Sequence, residues 1–255
     1  MTFSATFPDL QGRSVFITGG GSGIGAALTG AFLRQGAKVA FCQRSDATAF
    51  CDQMEQETGN RPLYLPCDIS VTDQLQLTLS TAARVNGPVT VLVNNAANDK
   101  RHDTLTTDEA LWDWSMAVNL RSYFFAAQAV IPGMQAAGGG SIINFSSISF
   151  MMADTGYVTY ITANAGIVGM TRTLAREFGA DRIRVNAVAP GWVLTEKQKD
   201  LWVTPESLAR HLARQCLPDP IQPDDMSGTV LFLASEASRM MTSQTLILDG
   251  GYISS

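Results

Sequence analysis

Val15-Phe16-Ile17-Thr18-Gly19-Gly20-Gly21-Ser22-Gly23-Ile24-Gly25, continued by Leu28, Phe32 and Leu33 at helical spacing, is the stretch that decides the fold. A short apolar run closes on a glycine-rich turn and reopens as an amphipathic helix, so the unit reads strand, turn, helix. The glycines stand at 19, 23 and 25, a G-x-x-x-G-x-G order rather than the plain G-x-G-x-x-G. The physics is shared between the two. Glycines let backbone approach a pyrophosphate, and the helix start offers free N–H groups and a partial positive charge.

Working outward, the pattern repeats. Lys38–Cys42, Pro62–Pro66, Val89–Asn94, Ser141–Phe145, Ile183–Val188 and Thr245–Leu248 read as further strands. Helical spacing fills Thr48–Thr58, Asp73–Val85, Thr107–Gly133, Tyr160–Phe178 and Asp224–Leu233, while the pattern loosens after Pro190 through Thr204. Val89–Asn94 is apolar throughout its strand core, as a strand buried on both faces must be. Strands alternating with helices predict an α/β chain: one doubly wound Rossmann-like domain over residues 1–255, a parallel sheet of about seven strands with helices on both faces. No Pro/Ser-rich linker divides it, and a loop region at 192–217 is expected to serve the substrate. Ligands of such sheets sit beyond the carboxyl ends of the strands, where the glycine turn, Asn94-Asn95-Ala96, Ser147 and Pro190-Gly191 all fall.

The composition narrows the function classes. The chain has 255 residues, 45% of them hydrophobic and 16% charged, values of a compact domain with a sizeable core. Lys+Arg 18 against Asp+Glu 23 leaves a net charge of −5, which argues against nucleic-acid binding. Cys42, Cys51, Cys67 and Cys216 have no CxxC spacing, and with two histidines in the chain no Cys/His metal site is expected. Scattered thiols suggest a reducing compartment. The start MTFSATFPDLQGR lacks the order of a signal peptide and no segment has the length to span a membrane, so a cytoplasmic protein without a membrane partner is expected.

A second stretch carries the chemistry: Ser141-Ile142-Ile143-Asn144-Phe145-Ser146-Ser147, a loop, then a helix holding Tyr160 and Asn164. A hydroxyl at a strand end and a phenol early in the next helix can face one pocket.

TGGGSGIG, Asn94-Asn95-Ala96-Ala97, Ser147, Tyr160 and PGWVLT at 190–195 together resemble the short-chain dehydrogenase/reductase family over essentially the whole chain. The resemblance implies a nicotinamide cofactor held by Gly19, Ser22, Gly23, Ile24 and Gly25, with Asp68 and Ile69 at the adenine and Asn95 and Ala96 supporting the cofactor loop. It places Pro190, Val193 and Thr195 at the nicotinamide. It makes Tyr160 the acid/base, Ser147 the group polarising the reacting oxygen, and Asn119 the support of a water relay. NAD and NADP both stay open. Gln43 stands where NAD users carry an acid, and Arg44 beside it can pair with a 2′-phosphate, while Asp46 is close by.

One residue departs from the family. Its lysine one turn after the tyrosine, which stabilises phenolate and holds the nicotinamide ribose, is Asn164 here. A tyrosine of ordinary pKa about 10 is a poor base near neutrality without a neighbouring cation. Three readings stay open: an enzyme that works differently, a form made inactive by substitution, or a nucleotide-binding protein without turnover.

Asn98 to His102, the GGGSIINFSSIS strand, PGWVLTEKQ, RQCL at 214–217 and LFLASEASRMMTSQ resemble the family's sugar dehydrogenases, which oxidise aldoses at C1 to the lactone. Asn98, Arg101, Trp192 and Gln198, with Ser147 and Tyr160, are then the substrate-binding candidates; His102 and Trp202 are nearby polar and stacking groups. A sugar-acid dehydrogenase is the alternative, since Arg101 or Lys197 can meet a carboxylate. The resemblance also implies a homotetramer, packed through Phe124, Phe125 and Ala129 and through Ile167, Met170 and Leu174.

Overall fold

The computed structural model describes residues 5–253; the first residues of the segment weighed as a leader lie outside them. Seven strands, β1 (Ser14–Thr18), β2 (Lys38–Gln43), β3 (Leu63–Pro66), β4 (Val91–Asn94), β5 (Gly140–Phe145), β6 (Ile183–Pro190) and β7 (Thr245–Leu248), form one sheet in the order β3-β2-β1-β4-β5-β6-β7. Every pairing is parallel. The order reverses between β1 and β4, which opens a crevice above the carboxyl ends of those strands.

The helices are α1 (Gly23–Arg34), α2 (Thr48–Thr58), α3 (Thr72–Asn86), α4 (Glu109–Met116), α5 (Ser122–Ala136), α6 (Ser149–Met152), α7 (Val158–Phe178), α8 (Glu196–Trp202), α9 (Pro205–Leu212) and α10 (Ser227–Ala234). Side-chain alternation along the strands feeds two cores. Val15, Ile17, Val91, Val93 and Ile143 point to the layer of α1 and α10, where Leu28, Phe32, Val230 and Leu231 pack. Phe16, Leu92 and Ile142 point to the other layer, against Leu75 and Leu79 of α3, Ala126 and Val130 of α5 and Leu174 of α7. Central strands covered on both faces are mostly apolar, and β1, β4 and β5 are buried from end to end; their buried polar members are hydrogen-bonded, as Asn94 Nδ2 donating to Asn144 Oδ1 shows.

Three expectations are corrected. The long helix expected over Thr107–Gly133 is α4 and α5 joined by a π-helical turn, Ala117–Arg121, that carries Asn119. Such turns insert a residue into the helical ladder and re-aim side chains, and they concentrate at functional sites. The stretch read as loose after Pro190 holds two short helices. Thr195 caps α8 by accepting from the Gln198 N–H, and Thr204 caps α9 by accepting from the Ser207 N–H. Propensity in these short, polar segments is weak, and the caps were the signal. Finally, Leu174 packs inside the chain with Met170 against it, and Ile167 is buried, so this stripe is internal; Phe124 is exposed.

Candidate functional site

The glycine turn is built so that backbone can be approached closely. Gly19 and Gly23 have φ of +71° and +51°, and a Cβ on Gly25 would collide with the Gly19 carbonyl oxygen. Asn95 ties this turn to the end of β4. Its Nδ2 donates to the Thr18 and Gly19 carbonyls at 3.0 and 3.3 Å, and Thr18 Oγ1 accepts from the Asn95 and Ala96 N–H groups. Thr195 Cγ2 would lie 3.0 Å from a Cβ on Gly23, so the turn and the segment after β6 meet. A bare, positively polarised cradle of this kind fits a pyrophosphate.

Farther along the same edge, Gln43 Oε1 accepts from the Gly21 N–H at 3.0 Å and Nε2 donates to the Ser45 carbonyl. Arg44 beside it is exposed. Asp68 Oδ1 accepts from the Ser70 N–H and hydroxyl at 2.9 and 2.7 Å. Burial alone would raise the Asp68 carboxyl; the Ser70 bonds and the Arg44 charge outweigh it and hold it below its ordinary value. Ile69 is buried beside it. Ser22 is exposed just ahead of α1.

A cavity of about 520 Å³ opens above β4, β5 and β6, lined by Ile24, Asn95, Ser147, Tyr160, Asn164, Pro190, Val193 and Thr195. On its other side stand Asp99, Arg101, Trp192, Gln198 and His211. Sequence-distant residues meet here because strand ends and the loops after them share one edge. Ser147 follows β5 directly, and Tyr160 sits in the first turn of α7.

Tyr160 lies in a poor setting for a base. Burial pushes its phenol up, and the Asp99 charge adds to this; Ser147 and Asn164 beside it and the Arg101 charge pull it back only in part. Asn164 is 3% exposed. Its Nδ2 donates to the Tyr160 carbonyl one turn back at 2.9 Å, and its own carbonyl accepts from Ser146 Oγ at 3.0 Å. The position therefore supplies hydrogen bonds and no charge. Asn119, buried, accepts from the Asn98 N–H at 2.7 Å and donates to the Asn98 carbonyl and Ser115 Oγ.

The substrate candidates divide. Arg101, Trp192 and Gln198 line the cavity with Ser147 and Tyr160, whereas Asn98 does not; its side chain accepts from the Lys100 N–H at 3.0 Å. His102 pins the loop, its backbone N–H donating to the Gly156 carbonyl. The polar wall is made instead by Asp99. Lys197 Nζ donates to Asp99 Oδ1 at 2.8 Å, Gln198 Nε2 to Oδ2 at 3.0 Å, and Trp192 Nε1 to Gln198 Oε1 at 2.9 Å. This chain of bonds latches α8 onto the loop after β4. Burial would raise the Asp99 carboxyl, but Lys197 and Gln198 hold it below its ordinary range. The Arg101 guanidinium lies 3.5 Å over the Tyr157 ring, which stacks on Tyr160 at 5.6 Å. His211 stacks on Tyr252 at 4.4 Å and meets Trp192 edge-on.

Sequence reasoning missed Asp99, Tyr123, Tyr157, His211, Arg214 and Tyr252, all of which line this cavity. Asp99 and Tyr157 had a usable signal, standing next to Asn98 and inside the quoted Ser147–Tyr160 stretch. His211 and Arg214 fall in the 192–217 region expected to serve the substrate but were not singled out; Tyr252 had no signal, because the segment beyond β7 brings it in.

Known proteins resemble this chain along nearly its whole length. The family described as enoyl-(acyl carrier protein) reductase matches residues 19–253. A Rhizobium meliloti protein named "Probable galactose dehydrogenase GalD" is 48% identical over 97% of this chain and 98% of its own length. The D-xylose 1-dehydrogenase of Caulobacter vibrioides is 45% identical over 98% and 99%. A solved structure of a blue fluorescent protein from a metagenomic library, in complex with NADPH, superposes with a TM-score of 0.87 at 32% identity, covering 96% of this chain and 100% of that one. Matched along its length in sequence and in structure, the chain belongs to the short-chain dehydrogenase/reductase family.

Proposed function

We propose that this protein is a nicotinamide-dependent aldose dehydrogenase that oxidises C1 of a pentose, hexose or deoxyhexose to the lactone. The observation that carries the reading is the cavity itself, where Ser147 and Tyr160 face a polar wall of Asp99, Gln198 and Trp192. Full-length identity to proteins named for galactose and D-xylose supports it.

Bound in the glycine cradle, a nicotinamide dinucleotide supplies the hydride acceptor. Ser147 Oγ donates to the C1 oxygen and fixes it near the Tyr160 phenol. Tyr160 takes the proton of that oxygen as hydride leaves C1, so one proton and one hydride depart together and the lactone remains. A phenol pushed above its ordinary value performs this as a base only in its ionised fraction, so the rate rises with pH. Asp99 and Gln198 receive the sugar hydroxyls, and the Trp192 face covers the C–H side of the ring. Gln43 and Arg44 leave NAD and NADP both usable. Self-association as a tetramer in the cytoplasm is part of the proposal, supported by the exposed Trp112 and Phe124 on α4 and α5. No helix among the described residues is long and apolar enough to cross a membrane.

Arg101 and Arg214 on the cavity wall favour a second reading, a sugar-acid dehydrogenase whose substrate carboxylate they would meet. Initial rates on aldoses and on their matched sugar acids, with NAD and NADP separately, decide between them. Turnover of neutral aldoses upholds the first reading, and turnover of acids alone replaces it with the second. Cofactor binding with no turnover at any pH would make the chain a nucleotide-binding protein.

A further inference from the structure

Tyr123 lies in the first turn of α5, one helical turn beyond Asn119, and is 1% exposed. It lines the cavity with Asn119, Tyr160 and Asn164, yet its hydroxyl meets no hydrogen-bond partner among the described residues. Desolvating a hydroxyl without a partner costs about 1–3 kcal/mol, and phenylalanine would fill the same space without that cost. An unpartnered phenol buried in the wall of a polar cavity is therefore a donor that asks for a reason beyond packing.

The place matters because of Asn164. Position 164 offers the Tyr160 phenolate no charge, and the Asn164 amide is engaged by the Tyr160 carbonyl within its own helix. Burial, and then the charge of Tyr160, push the Tyr123 hydroxyl far above the ordinary phenol range, so it stays a neutral donor at every working pH. Building on the proposed reaction, we infer that Tyr123 is a positioning residue of the proton site: its unpartnered hydroxyl is a neutral donor dipole that orients toward the Tyr160 oxygen as that oxygen ionises and stabilises the phenolate in place of a lysine. No net proton passes through Tyr123. The charges acting on Tyr160 are Asp99 and Arg101 from the loop after β4; Tyr157 stacks on it and donates its own hydroxyl to Asp154, and Lys197, His211, Arg214 and Tyr252 complete the titratable groups of the cavity wall.

The test is Tyr123→Phe, made both in the protein as it stands and in an Asn164→Lys background. In the first, kcat/KM on the aldose falls about tenfold or more near neutral pH, and the apparent pKa of the rising limb of kcat moves up by about one unit. In the second, where a cation supports the phenolate, the same substitution costs less than about twofold. Equal losses in the two backgrounds, or a loss with no movement of the pH limb, would reduce Tyr123 to a packing residue and overturn the inference. Should the unaltered protein turn over no substrate, the proposed function fails separately, and ultraviolet titration still reads Tyr123. The phenolate band assigned to Tyr160 by difference against Tyr160→Phe moves to higher pH in Tyr123→Phe; an unmoved midpoint refutes the role.

Discussion

Replacing Asn164 by lysine puts a cation one helical turn from Tyr160, where side chains stand about 5–6 Å apart. At an effective dielectric of about 20, a unit charge at that range stabilises a phenolate by about 3 kcal/mol, equivalent to about two pH units. In the present chain, the hydrogen bonds of Ser147 and Asn164 and the Arg101 charge oppose the burial and the Asp99 charge that push Tyr160 up, and Arg101 is the one cation among them. Asn164→Lys is therefore expected to move the rising limb of the kcat profile about two units toward acid, and to raise the rate near neutrality about a hundredfold. The assay is initial rate against pH from about 6 to about 11, cofactor saturating, for both proteins. Stability moves the other way. At a site 3% exposed the ammonium loses solvation, so the folded state lowers the lysine pKa below its ordinary value near 10.4. The variant then melts lower at neutral pH, and the deficit shrinks as pH rises toward 10 and both states become neutral. A limb that stays put while cofactor still binds would refute the reasoning, since Tyr160 would not be the group whose ionisation limits the rate.

Three further outcomes follow from the same geometry. Gly25→Ala drives a methyl into the Gly19 carbonyl, so the turn must open; cofactor affinity measured by fluorescence titration should drop by about two orders of magnitude or more, and wild-type affinity would show that the cradle is not the pyrophosphate site. Asp99→Ala removes two charge-assisted bonds that latch α8, and KM for the sugar should rise about tenfold or more with cofactor affinity unchanged; an unchanged KM would take Asp99 out of the substrate wall. His211 is lowered first by burial and then by the Arg214 charge, against the Gln215 bond and Asp249. Its stabilising contribution is present above the ordinary histidine value near 6.5 and is lost as pH falls through the lower folded value; His211→Phe, which keeps the stack on Tyr252, should flatten the decline of Tm in that window, and an equally steep decline in the variant would assign the loss to other groups.

The sequence by itself determined the sheet and pointed to Ser147 and Tyr160 as the candidate pair. Strands buried on both faces are dominated by apolar residues, so runs such as Val15–Ile17 and Ile142–Ile143 announce themselves. The glycines at 19, 23 and 25 and the hydroxyls at Ser147 and Tyr160 are constrained by short-range geometry that a linear pattern carries. Asn164 was legible for the same reason, one turn from Tyr160. Only the tertiary structure decided which polar residues reach the cavity. Asn98 and Asp99 are neighbours in sequence, yet backbone direction turns Asn98 onto Lys100 and Asp99 toward Lys197 and Gln198, almost a hundred residues away. Tyr123 looks like one more apolar position of α5 until the π-helical turn before it is seen, and its unpartnered hydroxyl exists only as a fact of packing. Local pattern fixes what a residue can be; long-range closure of the sheet's carboxyl edge fixes what it faces.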